Sequence, residues 1–172
     1  MVSRAVSVAV LVALVALGAA AGADAAPAAP AFRVRLFDGK ATLDSRDLLG
    51  KKILVLRFQA SYCTPCAKES AALGALAERY RPRGVEVLAL HVQDTTPDVR
   101  RFVAAHKVAY AVALDPKLAV GNRFGFKGTP YTVVIDRRGE MAARIHGESA
   151  LARLPKLLDE LLAVQARPSR KL

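Results

Sequence analysis

Lys52-Ile-Leu-Val-Leu-Arg-Phe58 is a nearly unbroken apolar run, and five residues after its end Cys63-Thr-Pro-Cys66 opens a stretch of helical periodicity. A run of this kind, bounded by Gly50-Lys51 and a polar loop, suits a central strand covered on both faces. Beyond it Leu73, Leu76, Ala77 and Tyr80 recur at i, i+3, i+4 and i+7. The spacing predicts a helix from Pro65 to about Arg81, stopped by Pro82 and Gly84. Val85-Glu-Val-Leu-Ala-Leu-His-Val92 reads as a second buried strand. Strand, helix and strand in that order close as a right-handed parallel crossover, so the chain is α/β and both cysteines stand at its strand-to-helix corner.

Upstream, Phe32-Arg-Val-Arg-Leu36 alternates as a half-buried strand, Asp38-Gly39 signals a turn, and Ala41 to Leu43 returns as a short partner. Asp44 to Leu49 reads as one helical turn before Gly50. Downstream, Thr95-Thr-Pro-Asp98 introduces a helix carrying Val99, Phe102 and Val103. Ala109 to Leu114 is a modest strand, and Lys117 to Val120 is read as a short helix. Tyr131 to Asp136 and Met141 to Ile145 form an antiparallel pair about the Arg137-Arg-Gly139 turn. Ser149 caps a last helix to about Ala166, with Leu151, Leu154, Leu158, Leu161 and Leu162 on its inner stripe. The result is an α/β sandwich with a mixed sheet and no internal repeat.

The first residues read as an address. Arg4 is followed by an uncharged stretch from Ala5 to Ala23, and Ala23-Asp-Ala25 has the small-x-small form of a signal-peptidase site. Residues 1–25 are therefore read as a signal peptide. The competing reading is an uncleaved anchor, since these 19 uncharged residues would rise about 28 Å as a helix. In either case the remainder is exported, into surroundings that permit disulfides. Residues 26–31 read as a linker, 32–166 as the domain and 167–172 as a basic tail.

Composition narrows the chemistry. In 172 residues, 53% hydrophobic and 24% charged, there are two cysteines, three histidines and no tryptophan. That excludes a disulfide-dense scaffold and argues against a Cys/His zinc finger. The net charge of +11 is compatible with acidic or membrane-surface partners. Arg100-Arg101, Arg137-Arg138 and the tail read as solvated surface, and without interleaved aromatics there is no nucleic-acid signal.

Two cysteines three apart at a helix start can close a small disulfide ring. Unpaired N–H groups and the positive dipole end favour a thiolate on the first of them, Cys63, with Cys66 placed to resolve a mixed disulfide. Pro65 suits the first turn, where its missing N–H is harmless. An inert structural bridge is disfavoured because so short a loop constrains the unfolded chain little. Zinc would need two further ligands, and His91, His106 and His146 have no paired spacing. Copper held by the two thiolates remains an alternative.

Phe58-Gln-Ala-Ser-Tyr-Cys-Thr-Pro-Cys-Ala-Lys-Glu69 resembles the active-site stretch of the thioredoxin superfamily, and most of all the exported thiol-disulfide oxidoreductases of the TlpA/ResA/CcmG type, written F-W-A-x-W-C-x-P-C-x-x-E. Gly125-Phe-Lys-Gly-Thr-Pro-Tyr-Thr-Val-Val-Ile-Asp-Arg-Arg-Gly139 is similar to that family's second segment, G-x-x-G-x-P-x-x-x-x-I-D-x-x-G. The resemblance implies a thioredoxin-like three-layer sandwich, its mixed central sheet flanked by helices, with an N-terminal β-hairpin extension. It also implies a cis peptide at Thr129-Pro130 facing the cysteines, with Thr129 backbone groups open to an extended substrate. By the same resemblance the chain is a monomer that needs no bound cofactor and no metal. Its partners would be protein thiols and disulfides in the periplasm or at the outer face of the inner membrane. Apocytochrome c and metal-site thiols are the implied substrates, and the electrons come from a membrane donor of the DsbD/CcdA kind.

The sequence departs from the family pattern at three places. Gln59 and Tyr62 replace two tryptophans, Tyr62 still offering a flat wall beside the thiol. Arg57 stands where thioredoxins carry a buried aspartate, and the cost of burying a lone guanidinium predicts a side chain turned to solvent. Asp94, in the loop after the second buried strand, is a candidate for the proton relay that many relatives assign to a glutamate; the alternative is that it only begins a turn. Thr64-Pro65 places no cation between the cysteines, which points to a reductant. A peroxiredoxin is a minor alternative, since Ala60 stands where a threonine would precede a peroxidatic cysteine by three.

Overall fold

The computed structural model of the protein describes residues 26–37, 39 and 41–165. The segment read as a signal and the basic tail lie outside the described residues. Among the described residues, seven strands and three α-helices follow one another as β1 (Arg33–Arg35), β2 (Thr42–Asp44), β3 (Ile53–Gln59), α1 (Thr64–Tyr80), β4 (Val85–Val92), α2 (Thr96–Ala105), β5 (Ala111–Asp115), β6 (Tyr131–Ile135), β7 (Met141–His146) and α3 (Ala150–Gln165). The first two strands make a small antiparallel hairpin, and the others form one mixed sheet in the order β5-β4-β3-β6-β7. The pairs β3/β4 and β4/β5 are parallel, whereas β6 runs antiparallel to β3 and β7.

Every residue of β3 is buried, as a central strand between two others requires. Successive side chains leave opposite faces, so β3 serves two cores at once. Ile53 and Val55 join Leu73, Leu76 and Tyr80 of α1, Val99 of α2, and Leu154 and Leu158 of α3. Leu54, Leu56 and Phe58 join Phe32 and Val34 of the hairpin, together with Val120, Phe124 and Tyr131. The hairpin is tied to the sheet edge where Phe37 N–H donates to the Val112 carbonyl at 2.7 Å.

One local expectation is corrected. Lys117 to Val120 is not a helix: Leu118 takes a left-handed φ of 56°, and a single 3-10 turn forms later, at Gly121–Phe124. The cause is the buried Asp115 carboxylate, which accepts from Val120 N–H and, at 2.7 Å, from Gly121 N–H, turning the chain before a helix can start. Residues 27–29, within the stretch read as a linker, lie against the start of β7. Ala28 bridges to Glu140, Ala29 N–H donates to the Gly139 carbonyl, and Met141 N–H donates to that of Pro27.

Phe58 contacts the rings of Phe124 (5.9 Å), Phe126 (5.8 Å) and Tyr131 (5.6 Å) and is fully buried. Phe58→Ala is expected to destabilise the fold by about 3–5 kcal/mol, read as a lower urea midpoint.

Candidate active site

At the end of β3 the chain turns once and enters α1. Cys63 N–H donates to the Ala60 carbonyl and Ala67 N–H to that of Cys63, both at 3.1 Å. Cys63 is the N-cap of α1 in an extended conformation, and its Sγ accepts from Cys66 N–H at 3.2 Å. Pro65 occupies the first turn. Cys63 and Cys66 are joined by a disulfide, with S–S 2.06 Å and Cα–Cα 5.2 Å. Both are nearly enclosed, Cys63 at 5% exposure and Cys66 at 1%. The helix terminus and the Cys66 amide favour negative charge on the Cys63 sulfur, which is also the more accessible of the two.

Tyr62 projects beside this pair at 64% exposure, its hydroxyl donating to Gln93 Oε1 at 3.4 Å. The Thr129–Pro130 peptide is cis. Tyr131 lies opposite Phe58, which brings Pro130 to the same end of the sheet as the cysteine loop. The Pro130 carbonyl is held by Gly147 N–H at 2.8 Å.

Asp94 is buried rather than a simple turn opener. Its Oδ2 accepts from Ser61 N–H and from His91 Nδ1, and its Oδ1 from the Ser61 hydroxyl, each at 2.7 Å. Gln59 and His91 sit opposite each other on β3 and β4 with their Nε2 atoms 2.8 Å apart. A neutral imidazole satisfies both contacts: Nδ1–H donates to Asp94, and Nε2 accepts from the Gln59 amide. Burial pushes the His91 imidazole below its ordinary 6.5, with the Asp94 carboxylate opposing that shift. Sequence reasoning flagged Gln59 and Asp94 separately but missed His91 as their link. The signal available was the pairing of two buried-type strands, which aligns positions 59 and 91.

Arg57 overturns the expectation of a solvent-facing side chain. It is fully buried, donating through Nη1 to Thr132 Oγ1 at 3.1 Å and through Nη2 to the Glu69 carboxylate. Nε has no partner. The cost of burying the guanidinium is offset because α1 brings Glu69, three residues past Cys66, over the strand. Beside this pair, the Ser70 and Tyr110 hydroxyls are 2.9 Å apart, and burial pushes the Tyr110 phenol up. Among the described residues, no group of three or more His, Cys, Asp and Glu could hold a metal ion.

A mixed sheet that delivers a C-x-x-C disulfide to the first turn of a helix defines a thiol-disulfide oxidoreductase with a thioredoxin-like fold. The chain belongs to the AhpC/TSA family, whose model matches residues 25–144. It is of the ResA/HelX type. It is similar to the thiol-disulfide oxidoreductase ResA of Bacillus anthracis, with 31% identity over 130 residues, 76% of this chain and 74% of that protein. It is likewise similar to the thiol:disulfide interchange protein HelX of Rhodobacter capsulatus, with 31% identity over 134 residues, 77% and 74% of the two chains. Among solved structures, a thiol:disulfide interchange protein DsbE of Chlorobium tepidum superposes with a TM-score of 0.73 at 26% identity, covering 81% of this chain and 98% of that one. A thioredoxin of Neisseria meningitidis gives 0.71 at 29%, covering 81% and 92%.

Two consequences are measurable. Arg57→Met leaves Glu69 without its buried counter-charge and is expected to cost about 3–5 kcal/mol in urea denaturation, whereas Arg57→Met/Glu69→Met recovers most of that loss. His91 contributes stability in full above its ordinary value of 6.5. That contribution is lost as the pH falls below it, because the unfolded chain takes up the proton first. The denaturation midpoint should therefore drop between about pH 7.5 and 5.5, and His91→Gln should flatten that slope.

Proposed function

We propose that this protein reduces disulfides in other exported proteins. The supporting observation is the asymmetry of the pair: Cys63 caps the helix and keeps a small opening to solvent, while Cys66 is enclosed behind it. In the dithiol form the Cys63 thiolate attacks a target disulfide and releases one target thiolate, leaving a mixed disulfide. Cys66 loses its proton and attacks Cys63 Sγ. The target departs as a dithiol, and the Cys63–Cys66 disulfide carries the two oxidising equivalents. A membrane donor of the DsbD/CcdA kind then returns two electrons, as the resemblance implies.

Thr64 and Pro65 supply no cation to stabilise the reduced pair, which favours the reducing direction. Backbone groups of Thr129, next to Pro130, receive the extended substrate, and Tyr62 and Pro65 wall the exposed side of the thiol. Asp94 acts in this reading through Ser61, fixing the loop that carries Cys63. Apocytochrome c cysteines and metal-site thiols are the proposed targets, in the periplasm or at the outer face of the inner membrane, with residues 1–25 as the export signal or anchor.

The experiment is to express Cys66→Ser in the native envelope and isolate what stays bonded to Cys63, alongside an insulin-reduction assay of the wild type. Adducts that vanish with Cys63→Ser, together with insulin turnover, are expected. Tight Cu(I) binding in anaerobic titration with neither adducts nor turnover would instead favour a copper chaperone.

A further inference from the structure

We propose that the rim of the disulfide on the Pro130 side is a docking surface for an acidic polypeptide segment flanking the target's disulfide. This rests on the reductase reading above and names the substrate class for it. The segment leading to Thr129 alternates. Phe124 and Phe126 pack on Phe58, the residue that ends the apolar run before the cysteines. Arg123 and Lys127, immediately before and after those anchors, are exposed. Two aromatic side chains thus hold the loop against the core while its cations face outward, two to six residues before Thr129.

Lys68, two residues after Cys66, is also exposed at this end of the sheet, as is Lys117 just past β5, although β5 lies on the side of β3 away from β6. None of these four cations takes part in an ion pair among the described residues. Of the acidic groups at the same end, Glu69 and Asp98 are neutralised by Arg57 and Arg101, whereas Asp94 and Asp115 are buried on uncharged donors, His91 and Ser61 for the one and the Val120 and Gly121 amides for the other. Glu148 is the exposed carboxylate at this end without such a partner.

Four exposed cations against one exposed carboxylate leave the surface of this end positive, while Asp94 and Asp115 keep their charges beneath it and offset part of the field around a sulfur that is almost enclosed. Such a field speeds the encounter of a complementary chain and rejects a cationic one. The full chain's net charge of +11 adds to that field at long range. Lys127 and Arg123 lie immediately before the edge at which an extended substrate would pair, so acidic residues beside the target cysteines would meet them.

The probes are three synthetic peptides with the same internal disulfide and flanks of Asp/Glu, Ser or Lys, each reduced by the full dithiol protein. Each reaction turns the peptide disulfide into a dithiol and the Cys63/Cys66 dithiol into a disulfide. At about 0.01 M salt, where charges act over about 30 Å, the acidic peptide is expected to react roughly tenfold or more faster than the basic one. The gap should close at about 1 M salt, where that length is about 3 Å. Arg123→Glu/Lys127→Glu should invert the order. Arg123→Gln/Lys127→Gln, which adds no repulsion, should shrink it. Equal rates for all three peptides, each dependent on Cys63, would overturn the acidic-partner inference and leave the reductase reading intact. No Cys63-dependent reduction of any peptide would overturn both. Equal peptide rates, with binding to phosphatidylglycerol vesicles abolished by the Glu double variant, would reassign the patch to lipid and overturn the inference.

Discussion

A helix begins with amide groups that its own backbone cannot satisfy, and here one of them finds a sulfur. Cys66 N–H donates to Cys63 Sγ, so a sulfur of the disulfide doubles as the N-cap of α1. Chemistry and helix start are thereby one feature. The interaction that orders the first turn is also the one that favours charge on the sulfur, and Pro65 sharpens it by occupying a site where no N–H is missed. The remaining architecture keeps that corner in place. β3 supplies a rigid approach from below, α1 is clamped by Leu73, Leu76 and Tyr80, and the 60–63 loop is fastened to Asp94 across 33 residues of sequence.

Beneath α1 the fold accepts an expense that an apolar core would avoid. Arg57, Gln59, His91 and Thr132 are polar and fully buried, and they project from neighbouring strands toward the first turns of the helix. Each finds a specific partner, and Arg57 Nε alone is left without one. Directional bonds of this kind contribute less net stability than their number suggests, because water is lost from every group. What they contribute is a fixed arrangement: the Gln59 amide, a neutral imidazole and a carboxylate in sequence hold Ser61 two residues from Cys63. In the family pattern tryptophan stands at position 59; here a hydrogen-bonded chain occupies that space.

Much of this was legible beforehand. The unbroken run of β3 announced a strand covered on both sides, and the 3.6-residue spacing of Leu73 to Tyr80 announced α1 to within a residue or two at either end. The two cysteines were identifiable because position in a βα unit, not spacing alone, gave them meaning. Arg57 was misread for a definite reason. The penalty for a buried guanidinium is a local argument, and the carboxylate that removes it lies on the next element, brought there by the crossover. Lys117 to Val120 was misread for a similar one, since Asp115 captures amides five and six residues ahead and the local pattern gives no sign of that.

Periodicity, turn residues and the motif were properties of the chain read in one dimension, and they determined the α/β class, the order of elements and the place of the cysteine pair at the strand-to-helix corner. They could do so because apolar spacing and helix capping depend on near neighbours. The burial of Arg57 against Glu69 and the His91 link between Gln59 and Asp94 were decided only by tertiary structure. Each depends on groups far apart in sequence meeting in space, and the energy of a charge is set by what surrounds it rather than by what precedes it.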